Sequence, residues 1–233
     1  MPPTMPEKAL FFDSGPIISL VMSRLDWILP QLKTQFGGKF YITPSVKREL
    51  VERPITIKRF QFEALQVLKL LGDGVLEVYQ NVPTQKTTTL INLANNSFRM
   101  ESKTLDIIQE GEMESLASAQ ELGAAVVIDE RTLRLFVENN KEMKRLLEKR
   151  FHKNIIPDET KMNQFSGEMK GVTIIRSIEL VSIAYKIGLL DAYIPELKEG
   201  KELLVNSILW STKYNGCAVS EDEIEEIKRF LLK

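Results

Sequence analysis

Short apolar runs recur along the chain, and stretches with helical spacing separate them. "ALFF", "AAVVI" and "VTII" are continuously apolar, as parallel strands covered on both faces should be. "VLEVY" alternates instead, which suits a half-exposed edge strand. The pattern predicts strands over 8–13, 39–42, 74–79, 124–129 and 171–176. Strands alternating with helices are the signature of βαβ units around a parallel sheet, so the fold class expected is α/β.

The helices between them carry their own punctuation. "TPSVKREL" starts with Thr43 as N-cap and Pro44 at the first helical position. "IKRFQFEALQVLKLLG" keeps helical periodicity up to a glycine stop, and "GEMESLASAQEL" is closed by Gly123. A long charged helix is expected over roughly 130–150, "SIELVSIAYKIG" follows the last strand, and two helices finish the chain. In the second of these, Ser220 and Glu223 have capping-box spacing. Two polar stretches, 81–100 and 154–170, have poor periodicity and read as irregular surface segments. The expected division is a main domain over 1–195, with irregular or inserted segments near 81–100 and 131–170, and a helical extension over 196–233 packed on it.

Composition narrows the chemistry. With 233 residues, 43% hydrophobic and 27% charged, the chain has the balance of an ordinary globular protein. Its formal net charge of −1 gives no whole-molecule attraction to nucleic acid or membrane. That average hides a split: residues 101–122 hold six acids and one lysine, whereas 131–153 hold eight Lys/Arg and three Glu. One cysteine, Cys217, and one histidine, His152, exclude internal disulfides and His- or Cys-rich zinc centres. No apolar run reaches membrane-spanning length, and "MPPTMPEK" lacks a signal-peptide pattern, so a cytoplasmic protein is expected. Its chemistry would rest on carboxylates.

Ligands of open parallel sheets bind beyond the carboxyl ends of the strands. Asp13 and Asp129 end their apolar runs at that position, although either could simply cap the helix that follows. On "GEMES", Glu112 shares the direction of Leu116 and Ala119, which pack on the sheet, whereas Glu114 falls opposite with Ser118 and Glu121 and is expected to be solvated. Glu49 stands beside Leu50, at the margin of a short helix's buried side; on its own it reads as a surface glutamate. Two like charges about 4 Å apart repel by ~4 kcal/mol at an effective dielectric near 20. A divalent cation offsets that cost, and oxygen-only donors favour Mg²⁺ or Mn²⁺ over zinc.

These residues resemble the PIN-domain family. The likeness is carried by "FFDSGPIISL", "YITPSVKREL", "GEMESLASAQELGAAVVIDERTLRLF" and "IIRSIELVSIAYKIGLLDAYI", from about residue 8 to 195. The resemblance implies a three-layer α/β/α sandwich with a five-stranded parallel sheet of order 3-2-1-4-5. It also implies a Mg²⁺/Mn²⁺-dependent ribonuclease leaving a 5′-phosphate, sometimes a toxin beside an antitoxin-like protein partner. Carried over position by position, the catalytic and metal-binding acids would be Asp13, Glu49, Glu112 and Asp129, with Glu114 as a rival for the third place. Glu130, next to Asp129, could share the metal or start a helix, and Ser14 and Ser177 could hold a water or phosphate oxygen or cap helices. The compact toxin members commonly have Asp at the third place, and this chain is far longer than they are.

In "KEMKRLLEKRFHK", Lys144, Arg145, Lys149 and Arg150 could contact an RNA backbone, against the ordinary reading of a solvated, charge-laced helix. Trp27 and Trp210 read as core residues, and His152 and Cys217 have no sequence partners that would make them catalytic. Two further readings stand beside the nuclease: a catalytically silent PIN-like module that binds RNA or protein, and a phosphoaspartyl enzyme built on Asp13. The last is disfavoured, because Gly15 stands where a dehalogenase-type enzyme needs a second Asp, and Arg176 and Ser177 stand where a receiver domain needs a lysine. A homo-oligomer is compatible with the sequence.

Overall fold

In a computed structural model of the chain, residues 8–101, 103–138 and 140–233 are described, without the side chains of 138, 140 and 141. "MPPTMPE", read above as no signal peptide, and the side chain of Lys141 in the basic stretch fall outside what is described. The chain opens with β1 (Ala9–Phe12), α1 (Ser14–Met22), α2 (Ile28–Phe36), β2 (Lys39–Ile42) and α3 (Pro44–Lys47). The last has Thr43 as its N-cap, accepting from the Val46 N–H at 3.4 Å. A π-helical turn, Arg48–Glu52, and two 3₁₀ turns, Pro54–Thr56 and Lys58–Phe60, lead to α4 (Gln61–Gly72) and β3 (Glu77–Val78).

The middle of the chain departs from the expectation. Within 81–100 lie α5 (Thr84–Asn95) and β4 (Phe98–Met100), followed by β5 (Lys103–Thr104). Next come α6 (Glu110–Leu122), β6 (Ala125–Val127), α7 (Arg131–Glu138) and α8 (Asn140–Phe151). Residues 154–170 then form β7 (Ile155–Pro157) and α9 (Glu159–Glu168), where irregular backbone was expected. The chain closes with β8 (Ile174–Ile175), α10 (Ser177–Lys186), α11 (Gly200–Tyr214) and α12 (Glu221–Leu231). Ser220 and Glu223 form the expected capping box, their side chains and N–H groups exchanging bonds of 3.2 and 2.8 Å.

Five strands pair in parallel in the order β3-β2-β1-β6-β8, which is 3-2-1-4-5 when only this sheet is counted. Phe11 lies opposite Tyr41 on one side and Val126 on the other. Alternation along β1 divides the core. Leu10 and Phe12 join Phe40, Ile42 and Val127 on one face, with side chains from α1, α2, α4, α10 and α11. Ala9 and Phe11 join Val126 and Ile128 on the other, with α5 to α9. Helices on both faces are what continuously apolar strands require, each fully buried side chain contributing about 1.5–3 kcal/mol. The alternating strand β3 lies at an edge, as expected. "VTII", expected inside the sheet, supplies the opposite edge; Val172, Ile174 and Ile175 are nonetheless packed against the two apolar layers.

The unforeseen elements form a second, antiparallel sheet of order β5-β4-β7. Phe136 stacks on Phe165 with centroids 4.3 Å apart and meets Phe98 at 5.6 Å, binding β4, α7 and α9 into one apolar layer. Helix α6 is therefore enclosed by the parallel sheet, α5 and α3, and only a little of its surface reaches water. Leu204, Val205, Ile208, Leu209, Ile224 and Leu231 of α11 and α12 enter the same apolar cluster as β1 and β2. No helix among the described residues is long and apolar enough to cross a membrane.

Candidate active site

The cleft forms where β1 and β6 end side by side. The Asp13 N–H continues the ladder by donating to the Val127 carbonyl at 3.0 Å, which fixes the acid at the strand terminus. Asp13 Oδ2 accepts from the Gly15 N–H at 3.3 Å and caps α1. Oδ1 is buried and has no hydrogen-bond partner among the described residues. A cap uses one oxygen; the other is left over. An unsatisfied buried acceptor costs about 1–3 kcal/mol, more if charged.

Asp129 is spent differently. Its Oδ1 accepts from the Ser177 N–H, and its Oδ2 accepts from the hydroxyls of both Ser177 and Ser19, each at 2.7 Å. The carboxylate thus caps α10 and ties it to α1. Its backbone carbonyl accepts from the Ala218 N–H at 3.0 Å, so the segment leading into α12 closes over it. The two aspartates flank Gly15: a Cβ there would lie 3.4 Å from Asp13 Oδ2 and 3.6 Å from Asp129 Cβ.

Two glutamates approach from α6 and the π-helical turn. Arg48 pairs with Glu110 at 3.3 Å, clamping the turn that carries Glu49 onto the start of α6. Gly111 makes this approach possible, since a Cβ there would lie 3.0 Å from Glu49 Oε1. Half-buried Glu112 accepts from the Gln109 N–H at 2.9 Å. Glu114 does not lie in water as expected: it is buried, and its Oε2 accepts from the Ser45 N–H at 3.1 Å in the first turn of α3. Ser118 is buried as well, because α5 covers the helix face that a two-layer picture leaves open; only Glu121 of that trio is exposed.

Charge binds the group. Burial pushes the Asp13 carboxyl up from 3.8 to about 7, against the lowering pull of the Ser14 and Gly15 N–H groups; Glu49 and Asp129 add to the rise. Burial likewise pushes Glu112 up to about 8, opposed by the Gln109 N–H and reinforced by Asp13, Glu130 and Glu49. Asp13, Glu49, Glu112 and Glu130 therefore share one field, with Asp129 acting on Asp13. Glu130 also accepts from the Thr132 hydroxyl at 2.5 Å and the Leu133 N–H at 2.9 Å, capping α7.

Lys144, Arg145, Lys149 and Arg150 lie on α8; the first two line a separate groove with Pro157 and Met162, and Lys144 pairs with Glu148 at 3.6 Å. Trp27 and Trp210 pack partly buried against the core. Two participants escaped sequence reading. Ser19 is one hydroxyl inside the apolar run "IISLVM", with no spacing that marks it. Cys217 is buried beside Asp129 and Ser177; burial, with Asp129 adding, pushes its thiol up to about 12, so it remains protonated.

As they stand, no three Asp, Glu, His or Cys side chains among the described residues form a ready chelate. Mg²⁺ does not require one, since it is commonly held by one or two carboxylates while keeping waters for substrate phosphates to replace. The free Oδ1 of Asp13, in an oxygen-only surrounding, suits that mode. No family model, curated protein or solved structure matches this chain.

Proposed function

We propose that the chain is a Mg²⁺- or Mn²⁺-dependent ribonuclease of PIN-like type, with its reacting centre at the carboxyl ends of β1 and β6. The observation that carries this reading is Asp13: a buried acid at a strand end, with one oxygen partnerless, Glu49 and Asp129 acting on it, and Glu112 in turn acted on by Asp13, Glu130 and Glu49. Asp13 would be the principal ligand, with Glu112 and Glu49 completing the set directly or through water. Bound there, the ion would acidify water and neutralise phosphoryl charge. Asp129 would keep α1 and α10 in register beneath Asp13, and the Arg48–Glu110 pair would hold Glu49 against α6.

A silent RNA- or protein-binding module is favoured by one observation, that Asp129 has both oxygens engaged and no three acids form a chelate. One experiment separates the two. Purified wild type and Asp13→Asn are given a mixed single-stranded RNA with Mn²⁺, and melting is followed as Mn²⁺ is titrated. The nuclease reading expects cleavage and a rise in Tm, equivalent to about 2.7 kcal/mol at a hundredfold excess over Kd, both lost in the variant. Cleavage unchanged in Asp13→Asn at equal purity would refute it. Neither cleavage nor stabilisation in wild type would leave the binding module.

A further inference from the structure

At the far end of α1 from Asp13 lies a separate cavity of about 590 Å³, in the range of small-ligand sites. The nine residues of the helix put about 14 Å between the two places. The walls are the end of α1, the 3₁₀ turn Asp191–Tyr193 and α11. Leu25, Leu190, Pro195, Leu203, Leu204 and Ile208 make them largely apolar, and Leu203 remains 49% exposed.

The polar side chains of the lining are one cation and four hydroxyls, with no carboxylate among them. Arg24 has neither an ion pair nor a side-chain hydrogen bond among the described residues. Its backbone is left-handed, with φ 58°, a shape that glycine holds more cheaply, so the turn itself has no need of arginine. Ser207 donates to the Leu203 carbonyl at 2.7 Å. Ser23 and Ser211 differ: their oxygens accept from the Asn215 amide at 3.1 and 3.4 Å, and neither hydroxyl has an acceptor among the described residues. The Tyr193 hydroxyl has no hydrogen-bond partner there either. The lining therefore offers donors and a positive charge, with no acid to answer them.

We infer that this cavity binds a small monocarboxylate with an apolar body, of the medium-chain fatty-acid class. Arg24 pairs with the carboxylate, Ser23 and Ser211 donate to its oxygens, and the chain lies against Leu190, Leu204 and Ile208. The single cation sets the charge: a carboxylate brings one negative charge, whereas a phosphate monoester brings about two. This site is independent of the ribonuclease reading, since it shares no residue with the acidic cleft.

The test is isothermal titration calorimetry on the full chain in EDTA, with decanoate, octanoate, decanol and decyl phosphate kept below their micellar range. Decanoate is expected to fill one site with a Kd of about 1 mM or tighter. Loss of two methylenes in octanoate should weaken binding by about tenfold. Decanol, which has the tail without the charge, should also bind about tenfold more weakly. Arg24→Gly suits the left-handed backbone, so the variant keeps its fold; it should bind decanoate about tenfold more weakly and decanol unchanged. Absent binding, decanoate affinity that survives Arg24→Gly, or equal affinity for decanol would overturn the inference. Tighter binding of decyl phosphate would overturn it too, by refuting the match of one cation to one charge. So would a dimer in sedimentation that Tyr193→Ala dissociates, since a second copy would then cover the cavity.

Discussion

Replacing Asp13 by Asn should make the metal-free protein more stable at alkaline pH. In the folded chain the Asp13 carboxyl titrates at about 7, against an ordinary 3.8. Between those values the native state keeps a proton that the unfolded chain has released, so stability falls as pH rises and the loss is complete above about pH 7. Some three units at 1.36 kcal/mol each come to about 4 kcal/mol. Asn caps a helix as well as Asp does and still accepts from the Gly15 N–H, but it never ionises. Its amide N–H would take the place of the partnerless oxygen and costs about 1–3 kcal/mol if unpaired. The net expectation is a variant more stable by about 1–3 kcal/mol at pH 8, or about 5 °C in Tm for a chain of this size. At pH 4 both side chains are neutral in the native state, the ionisation gain is absent, and only the amide cost of about 1–3 kcal/mol remains, so the variant becomes the less stable of the two. Loss of the Asp13 charge also relieves Glu112, which enlarges the gain. Urea denaturation of both proteins in EDTA from pH 4 to 8 measures the swing. A swing below about 1 kcal/mol, or of opposite sign, would refute the reasoning.

Asp129→Ala should cost about 3 kcal/mol in urea denaturation, because it strands the hydroxyls of Ser19 and Ser177 and one N–H at once; Ser19→Ala should cost about half as much. A loss below about 1 kcal/mol for Asp129→Ala would mean that the node is not structural. Glu114→Gln keeps an acceptor for the Ser45 N–H, so it should lose under about 1 kcal/mol and leave the proposed metal-dependent cleavage intact. Abolished cleavage in a folded Glu114→Gln protein would transfer the third acidic place from Glu112 to Glu114.

The parallel sheet was legible because each of its strands is written as an apolar run against polar or helical surroundings, and Thr43, Gly123 and Ser220 mark helix ends by local chemistry. The second sheet was not. Helix α5 begins at Pro83 without a side-chain cap and contains Thr87, Thr88 and Thr89, β-branched residues that lower helix propensity. Its signal was the helical spacing of the buried Thr87, Leu90 and Ala94. Glu114 was placed in water because one helix wheel reveals one buried face, whereas α6 is covered on three sides. Asp13 and Asp129 could be found from strand ends. Their division of labour could not, because Ser19, Ser177 and Cys217 reach Asp129 from positions distant in the chain.

The bond from the Ala218 N–H to the Asp129 carbonyl changes what counts as the smallest working unit. An excised fragment stopping near residue 195 would keep every strand of the parallel sheet, yet water would reach the aspartate that aligns α1 with α10. Helices α11 and α12 are thus a keystone of the cleft, and an engineer trimming the molecule should find its grip on the first two helices loosened before the sheet itself gives way.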